Sequence, residues 1–277
     1  MEFVKMHGIG NDYVYVDCFA QPAPENPGEL SVRMSMPHTG IGADGLILIE
    51  PSACADARMR IFNKDGSEGE MCGNGIRCVG KYLYDSALAR RDVITVETRG
   101  GVKTLEMLVK DGRATGARVD MGEAVFEPER IPVRGESNTV TLRRGAYACR
   151  FFCLNIGNPH AVTSDVFPEG RDFEQLGSAF ERDSAFPARA NVSFIKVVSR
   201  RLLRARIWER GSGPTLACGT GATASVIAAY KTGLCESSAQ IELPGGKLFI
   251  EYDERTNHAF MTGPAEISFT GKWQDTL

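Results

Sequence analysis

Short runs of alternating or β-branched apolar residues, each bounded by Gly, Asp or Pro, recur along the chain and predict strands. In the first half they cover residues 14–16, 46–49, 58–62, 93–97 and 103–109, and in the second 151–154, 192–198, 203–208, 241–243 and 247–252. Two longer stretches break this pattern. Residues 76–88 and 222–231 carry Ala, Val, Ile and Tyr with no breaker after Gly80, and Gly233 stops the second stretch. They predict one principal helix in each half. Residues 173–179 predict a further short helix, and the Gly, Pro and Glu content of 120–138 predicts a crossover.

The element order recurs because the sequence repeats. MCGNGIRC surrounds Cys72 and ACGTGATA surrounds Cys218, and lead-ins of equal length run to them from Phe62 and Trp208. At the same offset Asp65-Gly66-Ser67 falls on Gly211-Ser212-Gly213, and Arg58-Met59-Arg60-Ile61 falls on Arg204-Ala205-Arg206-Ile207. Within one residue of that offset Ile9-Gly10-Asn11 falls on Ile156-Gly157-Asn158, and Gly100-Gly101 on Gly245-Gly246. Several registers held in order read as an internal duplication. The boundary falls near Val119, giving a first half of residues 1–118 with a closing segment at about 264–277, and a second half of 119–263. A chain of 277 residues suits two domains on a prior of roughly 150 residues each.

Composition narrows the chemistry. A hydrophobic fraction of 43% lets each half bury a core, while a net charge of -3 and a pI of about 5.9 leave no basic surplus for a phosphate backbone. The expected partner is a small molecule, with neither nucleic acid nor membrane. The amino-terminal residues lack a basic flank followed by an apolar stretch, so the expected location is the cytoplasm. There the eight cysteines read as free thiols rather than disulfides. Their spacings are not those of zinc modules, and the four histidines are scattered, so no metal is expected. Gly40-Ile41-Gly42-Ala43-Asp44-Gly45 matches a dinucleotide fingerprint in form only, because it leads into a strand rather than a helix.

Each repeated cysteine therefore sits where a loop becomes a helix. Backbone N–H groups in a first helical turn are unpaired and carry partial positive charge, which suits a carboxylate. The same field favours thiolate by at most about 2 kcal/mol, roughly 1.5 pKa units, enough to bring a free thiol from about 8.5 towards neutrality. A thiol poised there takes and gives protons. Two such thiols, one on either side of a carbon next to the bound carboxylate, would invert a stereocentre. General acid–base transfer contributes typically ~10²–10⁴ in rate, so the N–H groups must also stabilise charge moving into the carboxylate. Cys78 and Cys235 lack this context and read as structural.

Five motifs carry a resemblance: MHGIGNDY (6–13), NKDGSEGEMCGNGIRC (63–78), NIGNPHAV (155–162), RANVSF (189–194) and ERGSGPTLACGTGA (209–222). Together they resemble the diaminopimelate epimerases, within the wider group of cofactor-independent two-cysteine racemases. The resemblance implies a mixed α/β (α+β) fold of two pseudo-symmetric halves, each a curled mixed sheet around a central helix, with a closing strand near Ile267 joining the first half. It implies interconversion of LL- and meso-diaminopimelate, in lysine and peptidoglycan precursor synthesis, without pyridoxal phosphate or metal. Cys72 and Cys218 match the catalytic pair. Asn11, Asn63, Asn158, Asn191, Glu209 and Arg210 match substrate-binding positions, with Gly73-Asn74 and Gly219-Thr220 supplying N–H groups to the reacting carboxylate. A homodimer is also implied. Such a set suits a molecule with two amino-acid ends, since Arg pairs a carboxylate and Glu accepts from an ammonium.

Two features qualify the match. Many relatives have Gln where this chain has Gly45, which the duplication places opposite Asn191, so the first half lacks an amide there. His160, beside Asn158-Pro159, reads as structural. The residues by themselves leave open a racemase of another amino acid such as histidine, an amino-acid-binding protein, and a thiol redox protein pairing Cys72 with Cys218.

Overall fold

The duplicated sequence folds twice, each time by the same succession of strand pairings. A computed structural model describes residues 1–274, so the last three residues of the expected closing segment lie outside the described residues. The chain divides into two units, Met1–Val119 with the segment from Thr262 onward, and Asp120–Met261.

In the first unit the elements are β1 (Glu2–Gly8), β2 (Asn11–Asp17), α1 (Pro27–Ser35), β3 (Gly45–Glu50), β4 (Ala57–Asn63), β5 (Glu68–Gly69), α2 (Gly73–Asp85), β6 (Val93–Thr98), β7 (Gly101–Lys110) and β8 (Arg113–Glu123). β1 and β2 are antiparallel, β2 and β3 parallel, β3 and β4 antiparallel, β4 and β6 parallel, β6 and β7 antiparallel. β7 continues antiparallel into β8. The helix α2 packs on β1, β2, β6 and β7, so this mixed sheet curls around it.

The second unit repeats the scheme with β9 (Thr139–Arg144), β10 (Tyr147–Asn155), β11 (Pro159–Thr163), α3 (Gly170–Glu181), β12 (Asn191–Ser199), β13 (Leu202–Glu209), β14 (Gly213–Pro214), α4 (Gly219–Lys231), β15 (Ser238–Leu243) and β16 (Gly246–Asp253). From β10 to β16 the pairings again run antiparallel, parallel, antiparallel, parallel, antiparallel. α4 is buried along nearly its whole circumference and touches β10, β11, β12, β13, β15 and β16. Its Gly, Ala, Val and Ile residues suit a helix enclosed on all sides. β17 (His258–Pro264) carries the chain out of this unit, and β18 (Glu266–Lys272) pairs antiparallel with β1.

Every strand expected from the alternation is present, each longer at one or both ends. Three differences are informative. α2 and α4 begin at Gly73 and Gly219 rather than at residues 76 and 222, and α2 ends at Asp85, where Ala87 turns to φ 63°. β8 runs on to Glu123, so the crossover begins later than residue 120. α1 was not expected. It stands between β2 and β3 as α3 stands between β11 and β12, so the duplication includes these connecting helices.

α3 ties down the hairpin that carries Glu209 and Arg210. The Trp208 indole donates to Glu181 Oε2 at 2.9 Å, and Gly211 N donates to Glu181 Oε1 at 3.1 Å, with Glu181 only 2% exposed. Gly177 lets the indole lie flat on α3, since a Cβ there would come within 2.7 Å of the ring. Trp208→Phe strands a buried carboxylate oxygen and is expected to cost about 1–3 kcal/mol, read as a lower urea midpoint. An unchanged midpoint would show that the bond contributes nothing net.

Candidate active site

Both repeated cysteines are the N-cap residues of the central helices. Cys72 has φ -130° and ψ 118°, and its Sγ accepts from Gly75 N at 3.3 Å; Cys218 has φ -126° and ψ 110°, and its Sγ accepts from Gly221 N at 3.3 Å. Sulfur thus takes the place that a Ser or Asp oxygen holds at an ordinary N-cap. An N–H aimed at sulfur is worth more to a thiolate than to a thiol, and the positive end of the helix adds to it. The second Gly of each motif has a packing reason. A Cβ on Gly75 would meet Ile47 Cδ1 at 2.6 Å, and one on Gly221 would meet Ile207 Cδ1 at 2.7 Å. Helix starts are thereby pressed against the sheet, which fixes where each sulfur stands.

In the first unit, β2 brings Asn11 to Cys72. The thiol donates to Asn11 Oδ1 at 3.3 Å, and Asn74 Nδ2 donates to the same oxygen at 3.3 Å. Asn63 ends β4, where its Nδ2 donates to Ser67 Oγ at 3.0 Å. Ser67 in turn bonds Asp65 Oδ1 through its N–H at 3.0 Å and its hydroxyl at 2.6 Å, closing the Asp65-Gly66-Ser67 turn. Gly73 and Asn74 form the buried first turn of α2.

The second unit arranges its polar residues differently. Cys218 is 6% exposed and lies 3.5 Å from the Thr220 hydroxyl. Asn191 opens β12 and ties the start of β11 to the turn after β13, donating to Pro159 O at 2.9 Å and accepting from Arg210 N at 2.9 Å. Arg210 Nη1 donates to Ala188 O at 3.1 Å. Glu209 accepts from the Thr215 hydroxyl at 2.6 Å. Asn191 therefore fixes the backbone of Arg210.

His160 is fully buried, and burial, with Arg210's positive charge behind it, pushes its pKa down to about 3. The ring is neutral near pH 7. Its Nε2 lies 2.7 Å from Asn158 Oδ1 and its Nδ1 has no partner, so the single proton belongs on Nε2. That bond turns the Asn158 amide nitrogen away from the ring as a donor. His160 is thus a positioning group rather than a proton carrier.

Asn11, Asn74 and Cys72 are joined by hydrogen bonds in the first unit, and Asn191 is joined to Arg210 in the second, while Asn158 is bonded to His160. Sequence reasoning missed Thr215, which steadies Glu209, and Asp44 and Arg77, which lie at the ends of the chain of amides around Cys72. Asp44 sits inside the glycine motif discounted as a fingerprint, and Arg77 inside the CGNGIRC motif itself.

The sequence profile of the family described as diaminopimelate epimerase matches residues 3–127 and 152–268. The chain belongs to the diaminopimelate epimerase family. It is 48% identical to the diaminopimelate epimerase of Acetivibrio thermocellus, over 98% of each chain, and 46% identical to that of Methanococcus maripaludis strain C5, over 98% of this chain and 99% of the relative. Its fold is that of a probable proline racemase from Agrobacterium radiobacter K84, with a TM-score of 0.74 at 16% identity, covering 99% of this chain and 93% of that one. The chain is an isomerase of the epimerase type. Among the described residues no helix is long and apolar enough to cross a membrane.

Proposed function

We propose that this epimerase interconverts LL- and meso-diaminopimelate by two-base proton transfer, with Cys72 and Cys218 as the two acid/base groups. The observation that carries the reading is the matched cap geometry: each sulfur occupies an N-cap and receives the N–H three residues on. Packing alone gives no reason for cysteine, rather than serine or aspartate, to cap both helices.

One thiolate removes the α-proton, and the electron pair left on that carbon spreads into the carboxylate. The other thiol delivers its proton to the opposite face. The pair of cysteines holds one proton before and one after, on the other sulfur. Turnover in the reverse direction exchanges the roles. Gly73-Asn74 and Gly219-Thr220 offer the carboxylate backbone N–H groups, which stabilise the charge as it develops. At the distal end Arg210 pairs with a carboxylate and Glu209 with an ammonium, while Asn11, Asn63, Asn158 and Asn191 hold polar groups between. This chemistry requires no pyridoxal phosphate or metal. In the same reading the protein acts in the cytoplasm as a homodimer, serves lysine and peptidoglycan precursor synthesis, and has neither nucleic acid nor membrane as a partner.

Incubation in deuterium oxide tests it. LL-diaminopimelate is expected to become meso-diaminopimelate carrying one deuterium at the inverted carbon, while L-histidine stays unlabelled. Label in histidine and none in diaminopimelate would overturn the substrate assignment.

A further inference from the structure

A chain of four polar side chains runs past Cys72 and has a fixed direction. Arg77, fully buried on α2, donates from Nη2 to Asn74 Oδ1 at 2.8 Å. Asn74 Nδ2 donates to Asn11 Oδ1 at 3.3 Å, and Asn11 Nδ2 donates to Asp44 Oδ2 at 2.7 Å. An arginine only donates, and an ionised carboxylate only accepts. With those two ends, each amide between them has one orientation, and Asn11 must show its oxygen to Cys72. Asp12 N also donates to Asp44 Oδ2, at 3.2 Å, so the accepting end is held by two N–H groups. Oxygen facing sulfur at 3.3 Å favours the S–H form, which can donate to it, over a thiolate, which it repels.

We propose that Asp44 is a positioning residue that acts through Asn11, keeping the amide oxygen on Cys72 and biasing this thiol towards its protonated form. The inference rests on Cys72 being one of the two acid/base groups. Four charged or ionisable groups from β1, β2 and α2 do not replace this effect. Tyr15 from β2 is buried, which raises its pKa well above 10 and leaves a neutral phenol. Cys78 from α2 is buried and pushed up to about 11, so it too is neutral. Lys5 is paired with Asp12. Arg77 favours thiolate and is common to every variant compared below. In the second unit Thr223 stands in register with Arg77 and donates to Gly219 O at 2.9 Å as Arg77 Nη1 donates to Gly73 O at 3.0 Å, but it carries no charge. Cys218 has beside it a hydroxyl that rotates to suit either state. Bias of this kind lets Cys72 enter the cycle as the acid.

Asp44→Asn removes the charge and the accept-only end, so that Asn11 is oriented from the Arg77–Asn74 side alone. Iodoacetamide labelling of the full-length protein over a pH series, resolved by peptide mass, reads the ionisation midpoint of each thiol. Asp44→Asn is expected to move the Cys72 midpoint to lower pH by about one unit, so that labelling below the midpoint is about tenfold faster. Asn11→Asp places a carboxylate on the sulfur and is expected to move the same midpoint upward. Cys218 should keep its midpoint in both. A Cys72 midpoint unmoved by Asp44→Asn, or lowered by Asn11→Asp, overturns the proposal. Mere loosening would label both thiols faster at every pH without moving a midpoint, and that result also overturns it. Normal turnover in Cys72→Ser would instead remove the two-base reading, and the labelling midpoints would still judge the orientation of Asn11.

Discussion

Serine in place of Cys72 or of Cys218 is expected to reduce epimerisation by at least about 10²–10⁴-fold while leaving the fold intact. The expected separation of activity from stability comes from the cap geometry. Each sulfur accepts one N–H at 3.3 Å from the third residue of its helix, and a serine oxygen is among the best acceptors for that position. Each variant should therefore unfold at the wild-type midpoint or slightly above it. The chemistry has no such substitute, because a hydroxyl does not ionise near neutral pH and cannot take the α-proton as a thiolate does. Each turnover needs one group to remove a proton and the other to supply one, so losing either stops the cycle. The double variant should then be about as inactive as each single variant, the non-additivity of groups that act as one unit. Conversion of LL-diaminopimelate, followed with thermal unfolding on the same samples, checks all three statements. Near-normal turnover in either single variant would end the two-base mechanism.

How far the sequence foretold this can be judged from particular residues. CGxG followed by an apolar run marked both helix starts, since glycine and a capping side chain act through neighbours in the chain. That the two halves share one order of elements was also legible, because the repeat carried it. α1 had local signals, with Pro27 at its start, Glu29 in its first turn and Arg33 in its last. It was missed because its core-facing residues, Leu30 and Met34, are too few to show a period. The polar chain at Cys72 was illegible for a different reason. Asn11, Asp44 and Asn74 lie far apart in sequence, and which end of an amide faces a thiol is set by groups two bonds further along the network. His160 is similar: its neutrality follows from complete burial, which spacing does not reveal. Duplication foretold the parts that are alike and was silent on Arg77 and Thr223, where the copies differ.

Gly45→Gln, which would give the first half a side-chain amide at the place opposite Asn191, is expected to destabilise the protein by about 3 kcal/mol rather than to add a contact. Gly45 opens β3 and pairs with Asn63 of β4, and a Cβ on it would stand 2.1 Å from Phe62 O and 2.9 Å from Tyr13 Cε1. The nearer obstacle is backbone. Phe62 O cannot yield freely, because it accepts the Ser31 hydroxyl at 2.9 Å, and the same hydroxyl lies 2.9 Å from Asn63 O. Moving that carbonyl would loosen α1 and shift Asn63, so loss of activity should accompany loss of stability. Since the clash begins at Cβ, Gly45→Ala should cost nearly as much as Gly45→Gln. For a chain of this size, 3 kcal/mol corresponds to a fall in Tm of roughly 6–12 °C, measurable by thermal denaturation. If Gly45→Ala unfolds at the wild-type temperature, the β3–β4 pair has room to give. The missing amide would then be a lost polar contact, as its place opposite Asn191 first suggested. If it unfolds early, glycine is required here by the close approach of two strands, and Asn63 reaches its place because no side chain separates them.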